Sequence, residues 1–505
     1  MSENINTQFD LDEHGKSYSK FMVMFVILLA TFAGALMQTS LGTALPTLMK
    51  DFDIDFSTAQ QATTWFLLAN GIMVPLSAYL ATRFSTKWLH VIAYAILLVG
   101  LILTAIAPSN SDSWNIFLTG RIVTAIAVGL MLPLMQIIII NMFPPNKRGG
   151  AMGLSGLAVG LAPALGPTFA GWILNKDHVI LGLTISDSWR NIFVFPIIIV
   201  AIAFILSFFF MKDVIPNRKI KLDILSLILS CIGFGLFLWG FSNVSTEGWR
   251  SFNYVILPLI LSLIIIAWFG FRQFKLDDPF LDLRVFKSSG FAIATIGLIV
   301  VTMAMYGVEM MLPTYLQNIH GFSPFESGLT LLAGALMLGF ISPISGSLYN
   351  KIGIKRLTFV GFLILTLASL PFGFLSDTTS PSLILVLYSI RMFGVALMMM
   401  PLTTNAMDAL PTKMGTHGTA ANNTARQVAS SIAVALLTSI TQNIINNNMP
   451  TKSLKDANPL QYAAHAQQAS IDGFNTSFLI GVAFAVIGLI IVPFLKMYHS
   501  ESEEK

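Results

Sequence analysis

The chain has 505 residues, 55% of them hydrophobic and 11% charged, with a formal net charge of +4 and a mean hydropathy of +0.74. Soluble domains carry about 25% charged residues, so an ordinary soluble globular protein is excluded, and so small a net charge gives no reason to propose nucleic acid as a partner. The single cysteine, Cys231, lies within an apolar run, which excludes disulfides and thiolate metal sites.

After a polar tail (1–20), charge-poor runs recur that are each long enough to cross a hydrocarbon layer of about 30 Å. Fourteen spans are expected, at 21–46, 58–81, 88–107, 115–140, 150–174, 191–211, 224–242, 253–271, 290–316, 325–348, 356–376, 382–406, 417–440 and 475–496. Segments this long and uniformly apolar satisfy their backbone groups in lipid as helices, so the expected fold class is an all-α polytopic membrane protein. The first run has no small-residue cleavage site after it and is expected to be a retained span. With the N-terminus inside, the inner loops hold sixteen Lys and Arg residues against six in the outer loops. The positive-inside rule then places both termini in the cytoplasm, in a cell (plasma or inner) membrane.

A repeat organises these spans. "PLSAYLATRFSTKWL" (Pro75 to Leu89) aligns with "PISGSLYNKIGIKRL" (Pro343 to Leu357) at an offset of 268, and the same offset lays "GLMLPL" (Gly129 to Leu134) on "LMMMPL" (Leu397 to Leu402). "ALPTL" (Ala44 to Leu48) matches "MLPTY" (Met311 to Tyr315) one residue off that register. The offset moves the sequence by eight spans and leaves spans 7 and 8 without partners. A 6+2+6 plan is therefore expected: one six-helix half at 21–211, a linker with two extra helices at 212–288, a second half at 289–496 containing an outer loop at 441–474, and a tail at 497–505. Duplicated halves about a central site are a common build for secondary transporters. No Walker A pattern occurs, so ATP is not the evident energy source.

The loop after span 2 and its repeat, "GSLYNKIGIKR" (Gly346 to Arg356), resemble the inter-helix signature of the major facilitator superfamily. "GRIVTAIAVG" (Gly120 to Gly129) is similar to its span-4 arginine motif, and "GLAPALGPTFAGW" (Gly160 to Trp172) to the span-5 motif of exporters that exchange drug for proton. "MPLTTNAMDALP" (Met400 to Pro411) and "HGTAANNTARQVA" (His417 to Ala429) resemble the fourteen-span EmrB/QacA branch, most of all its lincomycin-resistance-type members. The resemblance covers nearly the whole chain and implies the major facilitator fold and a drug:proton antiporter. It implies a proton gradient as energy source, no cofactor, small amphipathic drug-like substrates and a monomer in the lipid bilayer. Thr82 and Asn350 stand where the family usually has an acid, and span 1 has Met37 and Gln38 where many branch members carry one.

Glu309 is the one carboxylate well inside a span, whereas Asp223, Glu326 and Asp408 sit at span ends. A charge at that depth costs at least ~2.5 kcal/mol on insertion scales, so it is expected to face a cavity and to carry a coupled proton. A static ion pair, or a place near the outer interface, is the alternative. Arg121, Arg391 and Arg426 are the buried cations. By the resemblance, spans 1, 4, 9 and 12 line the cavity, which makes Arg391 a candidate partner of Glu309. Snorkelling to the outer interface is the competing reading for Arg121 and Arg391, and for Arg426 a structural hydrogen-bonding role is expected, with a gate role second.

Pro163 and Pro167 are expected to bend span 5, and Gly166 and Gly171 to admit a neighbouring helix; the resemblance implies a contact that seals the halves when the outer face is shut, with ordinary close packing as the alternative. Arg83, Lys87, Asn350, Lys351 and Gly353 form the candidate cytoplasmic gate. Methionines such as Met305 and Met399 suit a pocket of variable shape, with Gln38, Trp65 and Asn70 as further lining candidates; ordinary apolar packing is the competing reading. The outer segment from Thr441 to Asn475 could hold a surface helix. No catalytic, nucleophile or metal-ligand cluster is legible, so no enzyme is expected. A dedicated exporter of an endogenous metabolite, lipid or peptide is the alternative within transport, and a non-transporting membrane sensor or scaffold the alternative outside it.

Overall fold

A computed structural model describes residues 11–12, 15–143, 151, 155, 161–162, 165–180, 183–214, 223–277, 279, 281–411 and 414–498. Thirteen of its helices, among the described residues, are long and apolar enough to cross a membrane. They are α1 (Lys20–Thr39), α2 (Phe56–Arg83), α3 (Thr86–Ala105), α4 (Trp114–Met142), α6 (Asn191–Phe210), α7 (Ile224–Ser242), α8 (Leu257–Lys275), α9 (Ser289–His320), α10 (Pro324–Ile352), α11 (Ile354–Ser369), α12 (Pro381–Asp408), α13 (Gly415–Asn448) and α14 (Pro459–Ile491). The span expected at 150–174 is described chiefly through its helical part at 165–175, α5. A two-stranded hairpin, β1 (His178–Ile180) against β2 (Leu183–Ile185), follows α5.

Two apolar cores correspond to the two halves. One gathers buried side chains from Val23 to Met211, the other mainly those from Leu281 to Leu495, with Leu45, Phe56 and Ala59 joining it from the first half. α7 and α8 pack on each other and meet both halves through a smaller cluster of Leu68, Ile72, Leu238, Val428 and Ala435. Large apolar side chains such as Phe209, Phe340 and Phe374 point outward; on a membrane helix such a surface meets acyl chains and costs nothing.

The acids at helix ends have structural tasks. Asp55 Oδ1 accepts from Thr58 N at 2.6 Å and caps α2. Ser323 and Glu326 cap α10 reciprocally, the serine hydroxyl accepting from Glu326 N at 3.2 Å and the carboxylate from Ser323 N at 2.8 Å. Asp223 caps α7 and also accepts from Arg272 of α8, Nη2 to Oδ1 at 2.9 Å and Nε to Oδ2 at 3.2 Å. Burial pushes the Asp223 carboxyl up, but hydrogen bonds from Arg272 and Ser226 hold it below the ordinary carboxylate value. Gln273 extends this staple, donating to Ser226 Oγ at 2.6 Å and accepting from Leu281 N at 2.9 Å.

The outer segment differs from expectation. α13 runs on to Asn448, a short helix covers Lys452–Ala457, and α14 begins at Pro459, so "PLQYAAHAQQA" is the start of a spanning helix. Asn458 caps that start, accepting from Gln461 N at 3.2 Å. Asn446 to Asn448 make this end of α13 polar, while its backbone hydrogen bonding continues as a helix.

Candidate functional site

Of the acids singled out in the sequence, Asp223 and Glu326 cap helices and Asp408 accepts from Tyr349 Oη at 3.3 Å, which leaves Glu309. It lies on α9, half-buried, and among the described residues its carboxylate makes no hydrogen bond and no ion pair. α9 continues beyond it through Pro313 to His320.

Arg391 of α12 is within electrostatic reach of Glu309 but does not pair with it. Its guanidinium is occupied otherwise: Nε donates to Ser369 Oγ at 2.9 Å, and Nη2 donates to Ala304 O and, at 3.5 Å, to Met305 O. In an α-helix the Met305 carbonyl is the acceptor for the amide four residues on, which is that of Glu309. The cation therefore sits one turn below the acid, and its buried Nη1 has no partner. Arg121 repeats the arrangement in the first half. Its Nη2 donates to Met37 O on α1 at 3.0 Å, its Nε to Ala62 O at 3.4 Å, and its plane lies 4.2 Å from the Phe66 ring centroid. Both arginines are about fully buried, at 0% and 1% exposure, so neither snorkels. Each ties the fourth helix of its half to the first through backbone carbonyls, which have no signature in sequence.

Around Glu309 the structure gathers Tyr306, Gln38 and Arg426. Gln38 Nε2 of α1 donates to Tyr306 Oη of α9 at 3.1 Å, bridging the halves. Both Glu309 and Arg426 lie within electrostatic reach of that phenol. Arg426 does not fulfil the expected hydrogen-bonding role: among the described residues it makes no hydrogen bond, and its buried Nε is unpartnered. Gln60 of α2 adds a second bridge, Nε2 donating to Met310 O at 2.9 Å. Tyr306 escaped the sequence reading because a tyrosine in an apolar helix reads as packing; its position 268 residues after Gln38 was the available signal.

The other lining candidates divide. Asn70 is fully buried with both amide atoms unpartnered. Met305 is buried beside the Arg391 contact, and Met399 is half-buried against the second core. Trp65 faces away, toward the extra pair: a Cβ placed on Gly235 of α7 would lie 3.9 Å from its ring. It joins the clusters at that seam.

The two glycines of span 5 do different things. A Cβ on Gly166 would come within 2.5 Å of Thr39 Oγ1 and 2.8 Å of Leu36 O, so this glycine lets α5 approach α1 of its own half, not the opposite half. Gly171 makes the contact between halves: its Cβ would lie 2.4 Å from Pro324 O on α10. Gly328 of α10 reciprocates, its Cβ position lying 2.7 Å from Pro167 O. Thr168 Oγ1 donates to Gly328 O at 3.1 Å, Thr43 Oγ1 to Pro167 O at 2.9 Å, and Gln317 Nε2 to Thr43 O at 2.9 Å. At this end of the bundle α5 and α10 are closed on each other. Pro163 lies outside the described residues.

At the other end, Arg83 and Lys351 are exposed in the last turns of α2 and α10, and Gly353 takes a φ of +85° between α10 and α11, a conformation that favours glycine. The side chain of Asn350 lies outside the description. The backbone amide of Lys87 donates to Asp213 Oδ1 at 3.1 Å, and Ser85 Oγ donates to the same oxygen at 2.6 Å. In the second half the residues after α14 make a comparable stitch. Tyr349 Oη lies within 3.1 Å of Tyr498 O and 3.0 Å of Asn405 Oδ1, and Tyr498 N donates to Asn405 Oδ1 at 3.2 Å. The sequence reading missed Asp213, whose task is set by a helix start more than a hundred residues earlier. Among the described residues no group of His, Cys, Asp and Glu could hold a metal.

Residues 27–434 match the Major Facilitator Superfamily. The chain is 38% identical over 495 residues to the uncharacterized MFS-type transporter YcnB of Bacillus subtilis (strain 168), covering 97% of this chain and 98% of that one. It is 36% identical over 483 residues to the lincomycin resistance protein LmrB of the same organism, covering 95% and 97%. Among solved structures it resembles a bacterial homolog to the human lysosomal transporter Spinster, in inward-facing and occupied conformation. That likeness has a TM-score of 0.67 at 15% identity over 95% of this chain and 97% of the other, and speaks to the fold alone. Long apolar helices, two cores bridged at Gln38 and Tyr306, and sequence similarity along almost the whole chain lead to one conclusion: this multi-pass membrane protein belongs to the Major Facilitator Superfamily of transporters.

Proposed function

We propose that the chain is a proton-coupled exporter of small amphipathic compounds, acting as drug:proton antiporter in the cell membrane with Glu309 carrying the proton. Glu309 itself carries the reading: it is an acid held within a spanning helix, between the two halves, and among the described residues it has neither a capping task nor an ion-pair partner. Such a group is costly to keep unless its protonation is used. Arg391 supports it, because the guanidinium is anchored one turn away with one nitrogen unengaged. A substrate carrying positive charge would compete with the proton for the carboxylate, which is the linkage that exchange requires.

The loop cations support cytoplasmic termini. In that orientation the closed α5–α10 end is extracellular, and the proposed cycle opens it by parting Gly171 from Pro324 while the Arg83 and Lys351 end shuts. The 268 offset and the two cores support a 6+2+6 division at 21–211, 212–288 and 289–496, with a fourteenth span through α5. The name of the lincomycin resistance relative supports drug-like substrates, and the chain is proposed to work as a monomer.

The test is growth of an exporter-depleted bacterium, with and without this protein, across a panel of amphipathic antibiotics and dyes. Raised tolerance to several compounds, lost when the proton gradient is collapsed, is expected. Unchanged tolerance across the panel would contradict the multidrug reading.

A further inference from the structure

Two opposite charges flank Tyr306 without meeting. Glu309 follows it on α9 by three residues, and so lies on the same helix face. Arg426 of α13 lies within electrostatic reach of the same phenol. The ion pairs of Arg272 with Asp223 and Arg284 with Asp282 lie far along the chain from this seam. Arg121 and Arg391 are engaged by backbone carbonyls, but among the described residues Arg426 makes no hydrogen bond and its buried Nε is unpartnered.

The direction of Arg426 follows from helix geometry. Leu437 touches Gly307 of α9, where an added Cβ would meet the leucine Cδ1. Arg426 precedes Leu437 by eleven residues, close to three turns of about 3.6 residues, so it shares the face of α13 that looks at α9. Asn422, one turn earlier on that face, has a buried Oδ1 without a partner. Asn70 of α2, next to the Gly71 that packs on Gln427, has both amide atoms unpartnered. Unsatisfied buried groups are rare in folded proteins and point to an absent partner. Here the partner must offer acceptors or negative charge on the Arg426 side and positive charge on the Glu309 side.

We propose that this seam binds dipolar compounds, with Glu309 taking a cationic group and Arg426 an anionic or strongly accepting oxygen group such as a carboxylate or sulfonate. Tyr306, held by Gln38, separates the two charges and keeps them from neutralising each other. The inference rests on the proposed substrate cavity, but it concerns which compounds bind and not what drives them. It names a specificity determinant, Arg426, where a structural bond, with a gate role second, was expected.

The test is equilibrium dialysis on the purified full-length protein in uncharged detergent, with no gradient, so that a failure of proton coupling leaves the result unaffected. The probes are a naphthylmethyl ammonium sulfonate and its two analogues, one lacking the sulfonate and one lacking the ammonium charge. The dipolar probe is expected to bind about tenfold or more tighter than either analogue, in line with one charge-assisted hydrogen bond at each end. Arg426→Gln should weaken the dipolar and sulfonate-only probes by a similar factor and leave the ammonium-only probe unchanged; Glu309→Gln should do the reverse. Should Arg426→Gln give no monodisperse protein, Arg426→Lys tests the same point, because a retained charge without the planar fork predicts a partial loss for the sulfonate probes alone. Equal binding of all three probes to the unsubstituted protein would overturn the proposal. So would a sulfonate preference that survives Arg426→Gln.

Discussion

Gln38 and Tyr306 are 268 residues apart, the offset that aligns the two halves in sequence, and they hydrogen-bond to each other at 3.1 Å across the boundary between those halves. The bond joins the first helix of one half to the first helix of the other, and Glu309 lies one turn from it.

Tyr306→Phe removes the acceptor and leaves the Gln38 amide buried and unpaired. A loss of about 1–3 kcal/mol is expected, read as a lower melting temperature in detergent. Gln38→Met combined with Tyr306→Phe should recover most of it, because both polar partners are gone. A double substitution as unstable as the sum of the singles would show that the two side chains do not interact.

Arg391→Lys keeps the charge but cannot serve Ser369 Oγ and the α9 carbonyls together. Folded yield should fall, and fall by the same factor in a Glu309→Gln background, since the arginine is held by carbonyls and not by the acid. A yield restored by Glu309→Gln would instead reveal a Glu309–Arg391 ion pair.

Gly171→Leu and Gly166→Leu should separate by their readouts. The first drives a side chain into Pro324 across the halves, so cysteines placed near Thr43, in a Cys231→Ala background, should become more accessible to a membrane-impermeant thiol reagent. The second overpacks α5 against α1 within one half and should lower stability by about 1–3 kcal/mol with little change in accessibility. Equal effects of the two on accessibility would contradict this division.

Asp223→Asn should loosen α7 from α8 by weakening the hold on Arg272. The carboxyl is held below its ordinary value in the folded protein. Its contribution is therefore complete above the unfolded value of about 3.9 and is lost as pH falls through the lower folded one. The gap in thermal stability between the unsubstituted protein and Asp223→Asn should be constant near neutral pH and close under acid conditions. A gap that widens on acidification would refute the staple.

The spans, the repeat and the isolated acid were legible because each has a one-dimensional signature: apolar length, a constant offset, and a carboxylate amid apolar residues. What was not legible depends on backbone atoms or on long-range partners. Arg121 and Arg391 bond to carbonyls, which every residue has, so their clamp roles could not be read from neighbours. Gly166 and Gly171 look alike in sequence, and only the helices opposite them, α1 and α10, assign their tasks. The extent of α13 and α14 beyond the apolar layer was missed because hydropathy ends where lipid ends, whereas helical hydrogen bonding does not.

The central claim is that Glu309 exchanges a proton during transport. Glu309→Gln keeps size and hydrogen-bonding capacity but cannot release one. Export in proteoliposomes under an imposed proton gradient, measured beside folded yield, tests it most directly. The account predicts normal yield, measurable binding of an uncharged substrate, and gradient-driven export reduced to the protein-free background. Full gradient-driven export by Glu309→Gln would contradict it and remove the proton from this residue.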